Sequence, residues 1–85
     1  METRVALIAI IVEDMASVNE LNALLGEYSD YIIGRMGIPY RKENIHIISI
    51  AIDAPQDVIS ALAGKIGNIK GISAKTACSN VGHHA

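Results

Sequence analysis

Val5-Ala6-Leu7-Ile8-Ala9-Ile10-Ile11-Val12 is a run of eight aliphatic residues with no polar alternation, the pattern of a strand buried on both faces. It predicts a central strand. A second β-prone run, Ile45-His46-Ile47-Ile48-Ser49-Ile50-Ala51-Ile52, alternates a large set (Ile48, Ile50, Ile52) with a smaller one (Ile47, Ser49, Ala51). Alternate residues of a strand point to opposite faces. The large set is therefore expected under helices and the small set on the opposite face.

The segments between these strands carry helical signals. After the first strand, Asp14 and Ser17 offer N-caps, and Ser17-x-x-Glu20 matches a capping box, in which hydroxyl and carboxylate satisfy unpaired first-turn amides. Val18, Leu21, Leu25 and Tyr28 follow at helical spacing, with Asn19, Asn22 and Glu27 off the stripe. A helix is expected from Ser17 to about Ser29-Asp30. The stretch from Tyr31 to Tyr40 contains two glycines and Pro39, which weaken a strand interior and remove a ladder donor. That reads as an edge strand with a bulge. Arg41-Lys42-Glu43-Asn44 is the polar turn joining it to the second β run as a hairpin. Pro55 and Asp57 then open a second helix with Val58, Ile59, Leu62 and Ile66 on its apolar side. Gly67 is expected as its left-handed cap, and a last strand is expected from Ile72 to Cys78.

The order β-α-β-β-α-β is an α+β arrangement of the ferredoxin-like type, a four-stranded antiparallel sheet with two helices on one face. The first and third strands are central in it, and the second face of the sheet is bare. The first strand is apolar on both faces, so a lone chain leaves an aliphatic surface wet. Patches of that kind mark interfaces. At least a homodimer packed through sheet faces is expected, with Ile47, Ser49 and Ala51 at the contact.

Composition narrows the class of function. Eighty-five residues leave room for one domain, with an ordered core expected over about 4–78 and a frayed end over 79–85. Hydrophobic residues make up 51% of a chain with no Trp or Phe, so aliphatic side chains must build the core. Seven Lys and Arg against nine Asp and Glu give a net charge of −2, the wrong balance for direct nucleic-acid binding. The apolar run at 5–12 is too short to cross a bilayer, which takes about 20 residues, and it ends in Glu13-Asp14 without a small-residue cleavage site. A single Cys78 excludes an internal disulfide and fits a reducing compartment. A cytoplasmic protein without membrane contact is expected.

No catalytic or cofactor motif stands out, and neither an enzyme nor a bound cofactor is expected. Gly34-Arg35-Met36-Gly37 has neither the spacing nor the context of a phosphate-cradling loop. Its Arg35 is nevertheless a candidate contact for an anionic ligand, because the guanidinium fork suits carboxylate or phosphate. Tyr40 and Arg41, at the hairpin tip, are the other ligand candidates. Among transition-metal ligands, His83 and His84 stand with Cys78 at the far end of the chain from His46. A paired-ligand motif is missing, so no metal site is assigned. The alternative is a metal-responsive sensor with His46 and Cys78 drawn from adjacent subunits.

Glu27-Tyr28-Ser29-Asp30-Tyr31-Ile32-Ile33-Gly34-Arg35-Met36-Gly37-Ile38-Pro39-Tyr40, then Ile45-x-Ile47-Ile48-Ser49 and Asp53-Ala54-Pro55, resembles the iron-only hydrogenase system regulator family over about 4–77. Later Ile59-Ser60-Ala61-Leu62-x-Gly64-Lys65-Ile66-Gly67 and Lys70-Gly71-Ile72-Ser73-x-Lys75 are similar to its second helix and last strand. The tail after Cys78 departs from the family, so its histidines inherit no role. The resemblance implies an ACT-like, ferredoxin-type fold of the kind also used by the ligand-sensing half of nickel-responsive regulators. It further implies assembly through sheets and a regulatory role. Three functions follow as expectations: ACT-type small-ligand sensing through an oligomer interface, metal sensing, and a protein–protein adaptor that binds through a strand edge.

Overall fold

The computed structural model describes the backbone of residues 2–84 and the side chains of residues 2–79. Strand β1 (Glu2–Val12) leads through a 3-10 turn (Met15–Ser17) into helix α1 (Val18–Glu27). A second 3-10 turn (Ser29–Tyr31) opens β2 (Ile32–Tyr40), which is followed by β3 (Ile45–Ala54), α2 (Gln56–Gly67) and β4 (Ile72–His84). The strands form one sheet in the order β2-β3-β1-β4, and every neighbouring pair is antiparallel. The β-α-β-β-α-β order and the central places of β1 and β3 match the expectation.

Register sorts the core. Ile8 pairs with Ile50, Ile10 with Ile48, and Ala6 with Ile52, and all six are buried. Leu21 and Leu25 of α1 and Ile59, Leu62 and Ile66 of α2 close over them. Each such side chain gains about 1.5–3 kcal/mol from leaving water. A slip of one residue would turn the whole set outward, so the alternation in β3 locks the pairing. The edge strand β2 carries the expected irregularity, a register shift between Ile32 and Gly34. Gly34 pairs with Ala51 after the shift.

Four local expectations are corrected. Ser17 sits at the N-terminus of α1 but makes no side-chain cap. Its buried hydroxyl donates to the Lys70 carbonyl at 2.6 Å, tying the entry of α1 to the loop before β4. The capping that does occur is one step earlier, where Asp14 Oδ1 accepts from the Ala16 N–H at 3.0 Å. Helix α1 also stops at Glu27, and the 3-10 turn absorbs Ser29 and Asp30.

The left-handed glycine is Gly71 (φ 74°) rather than Gly67, which is the last residue of α2. Gly71 is needed because its carbonyl accepts from the Glu13 N–H at 2.7 Å, drawing the backbone so close that a Cβ there would run into Asp14. Finally, β4 runs Ile72–His84 rather than ending at Cys78. It pairs along β1 with a register irregularity between Arg4 and Ala6. The side chains of residues 80–85, where fraying is expected, lie outside the described residues.

Candidate functional site

Two surfaces stand out, one on the bare face of the sheet and one at the end that carries the β2–β3 turn. The bare face holds the alternate residues of each strand. Ile38, Ile47, Ile11 and Ser73 form one row across the sheet, and Met36, Ser49, Ala9 and Lys75 form the next. Leu7 (50%), Ile11 (42%), Ile47 (40%), Ile38 (49%) and Met36 (60%) remain exposed there. They are the apolar side chains that β-prone strands must put somewhere and that no helix covers. Around the small residues Ala9 and Ser49 lies a groove of about 270 Å³, lined also by Ile11, Ile47, Ser73 and Lys75. Lys75 is its one charged lining residue among those described. Toward the other end of this face, in the row of Val5, Asp53 has a buried Oδ1 with no hydrogen-bond partner among the described residues.

The second surface is a cleft of about 210 Å³ lined by Met15, Pro39, Tyr40, Arg41, Asn44, Ile45 and His46. The turn beside it is fixed by two bonds, Glu43 N–H to the Tyr40 carbonyl at 3.3 Å and Asn44 N–H to the Arg41 carbonyl at 3.1 Å. Asn44 takes the left-handed conformation (φ 55°) that this closure requires. Asparagine tolerates it better than most side chains.

The ligand candidates read from the sequence divide between these places. Tyr40 and Arg41 come together at the turn cleft. Arg35 does not join them. It pairs with the buried Ile50 and so lies on the helix side of β2, where its Nη2 donates to Asn22 Oδ1 on α1 at 2.6 Å. The interface residues Ile47, Ser49 and Ala51 do share the bare face. His46 lies beside Val12 and Cys78 beside Ala6. Those positions are six residue steps apart along β1, about 20 Å, so one chain does not bring the two together. No cluster of three or more His, Cys, Asp or Glu side chains fit to hold a metal occurs among the described residues.

Sequence reading missed the links between elements. Asn22 was legible only as an off-stripe helix residue, and nothing in its neighbourhood pointed to Arg35. Lys65 of α2 donates to the Tyr28 hydroxyl at 2.8 Å, with its ammonium 5.2 Å from the ring centroid. That hydrogen bond, helped by the charge interaction with the same phenol, holds the Lys65 ammonium above its ordinary 10.5. The pair ties the C-terminal end of α1 to α2, and neither residue lines either surface.

Fold and surfaces together define a ferredoxin-like α+β domain whose sheet keeps one face bare. A family model described as "TM1266-like: Iron-only hydrogenase system regulator, putative" matches residues 4–76. The chain belongs to that family. It is similar to the solved structure of the uncharacterized protein TM1266 from Thermotoga maritima, at 35% identity and a TM-score of 0.86, covering 89% of this chain and 96% of that one. A formyltetrahydrofolate deformylase from Pseudomonas putida KT2440 has a region of similar fold. The identity there is 14% and the TM-score 0.65, covering 91% of this chain and 29% of that one. At that identity the likeness concerns the fold alone. No match is found among curated proteins. Among the described residues, no helix is long and apolar enough to cross a membrane.

Proposed function

We propose that the chain is a non-catalytic regulatory module that assembles as at least a homodimer through its bare sheet face and responds to a small molecule. The observation that carries this reading is the set of exposed aliphatic side chains Leu7, Ile11, Ile38 and Ile47 on one face of the sheet. Four strands about 4.8 Å apart and about ten residues long cover roughly 600 Å² before side-chain relief is counted. That is close to the ~800 Å² per partner of a stable interface. The face also suits a copy of itself, since it offers both protruding residues (Leu7, Ile38) and a groove floored by small ones (Ala9, Ser49). The unpartnered Asp53 Oδ1 supports a neighbour on the same side.

Family membership supports the regulatory part of the reading. With an acidic balance of charge, any effect on DNA is indirect. The small molecule is assigned to the turn cleft at Tyr40 and Arg41.

The test is Ala51→Asp, followed by sedimentation velocity. Ala51 is half-buried on the bare face, and a carboxylate enclosed in an apolar contact without a partner costs several kcal/mol. The variant is expected to sediment as a monomer where the unaltered chain does not. An unaltered chain that stays monomeric at millimolar concentration sinks the assembly reading. An Ala51→Asp protein that still associates moves the contact to the β2 edge, whose side chains are exposed from Ile33 onward.

A further inference from the structure

The turn cleft also discloses the chemistry of what it would hold. Arg41 and His46 both line it, and neither side chain has a hydrogen bond or ion pair to another described residue. Arg35, by contrast, is already engaged by Asn22. Among the described residues no carboxylate lines the cleft, and Lys42 and Glu43, which complete the turn, are not among its lining residues. Met15, Pro39 and Ile45 add an apolar wall. The two turn bonds and the left-handed Asn44 fix the backbone beside Arg41 before any ligand arrives, which lowers the ordering cost of binding.

We propose that this cleft binds a small oxyanion, a carboxylate or a phosphate monoester on a short apolar body. The anionic head lies against the Arg41 guanidinium and the His46 imidazole. A guanidinium offers paired N–H donors that match two oxygens of such a head, and His46 supplies a further donor. The size is set by the volume. About 210 Å³ corresponds to roughly seven waters at ~30 Å³ each, below the range of drug-sized ligand pockets. A short organic acid fits that space. The proposal rests on the small-molecule part of the reading above and needs no dimer, since one chain supplies all the lining residues.

The experiment is an amide ¹H–¹⁵N titration of the full chain with inorganic phosphate, with butyrate, and with the neutral butyramide. The amides of residues 40–46 are expected to shift and saturate at millimolar phosphate or butyrate but not with butyramide. Phosphate and butyrate together separate the two sources of oxyanion, the tighter one naming the class. Arg41→Met is expected to weaken binding about tenfold or more, as loss of a charge-assisted bond does, while Arg35→Met leaves it unchanged. Arg41→Lys, which keeps the charge and loses the fork, is expected to fall between.

Absence of saturable shifts overturns the proposal. So does equal binding of butyramide, or equal loss from Arg35→Met and Arg41→Met, which reduces the effect to general surface charge. The titration is repeated on Ala51→Asp. Binding that persists in a monomer upholds the cleft whatever becomes of the assembly, and binding lost only in that variant overturns the single-chain site.

Discussion

Leu7 and Ile8 are neighbours in β1, yet the fold assigns them to opposite surfaces, and replacing each by alanine should separate the two roles of the strand. Ile8 is fully buried and pairs with Ile50 in the core. Its truncation should cost about 2–5 kcal/mol, the transfer loss plus the cavity left behind. For a domain of 85 residues the total stability is about 4–13 kcal/mol, so this one change consumes a large share of it. At about 4–8 °C per kcal/mol, the melting temperature should fall by at least about 8 °C.

Leu7 is 50% exposed, so in a lone chain its truncation removes only about half of a side chain's burial, about 0.75–1.5 kcal/mol. In a two-fold assembly both copies lose the remaining half. That amounts to about 1.5–3 kcal/mol in association, or roughly a ten- to hundredfold weaker dimer. Thermal unfolding by circular dichroism across a range of protein concentrations, with sedimentation on the same samples, reads both effects. The loss in Leu7→Ala should depend on concentration, because association stabilises by mass action, and that in Ile8→Ala should persist at every concentration. If both variants melt alike at every concentration, the assignment of the two faces is wrong. If Leu7→Ala leaves association unchanged, the bare face is not the contact.

Gly71→Ala should destabilise by about 2–4 kcal/mol, combining the left-handed backbone penalty with the collision against Asp14. Gly67→Ala, helical and with open space around its Cβ, should be neutral or stabilising by up to about 1 kcal/mol. Urea midpoints decide, and similar losses would refute the account of the β1–β4 junction. Tyr28→Phe should bring the Lys65 ammonium back down toward 10.5, because the hydroxyl bond is the main cause of its elevation. A raised folded value means that the pair stabilises fully below pH 10.5 and that this is lost as pH climbs through the folded value. An NMR titration of the Lys65 side chain that is unchanged by the substitution would contradict this.

The patterns that made the fold legible are local and steric. The unbroken aliphatic run of β1, the two-residue alternation in β3 and the helical stripes at Leu21, Leu25 and at Ile59, Leu62, Ile66 each report which side of an element leaves water. Pro39 and the paired glycines marked β2 as an edge, since a missing donor is tolerated only there. Polar endings were less legible. Ser17-x-x-Glu20 has the spacing of a capping box, but a hydroxyl takes the best acceptor within reach, and the loop that presents the Lys70 carbonyl is 53 residues away. The same holds for Gly71, where a side chain would collide with Asp14, a residue of the distant connector after β1.

Of the candidate site, the chain's own order settled that Tyr40 and Arg41 would share a turn and that Ile47, Ser49 and Ala51 would share a face. Adjacency and alternation are properties of the backbone and survive any packing. Only the tertiary structure decided that Arg35 turns to α1 and Asn22 rather than to the turn, that His46 and Met15 close one cleft, and that His46 and Cys78 stand at separate positions along β1. Those outcomes depend on distances between elements far apart in sequence. Such distances are set by register and by the depth at which helices seat on the sheet, and no local pattern encodes them.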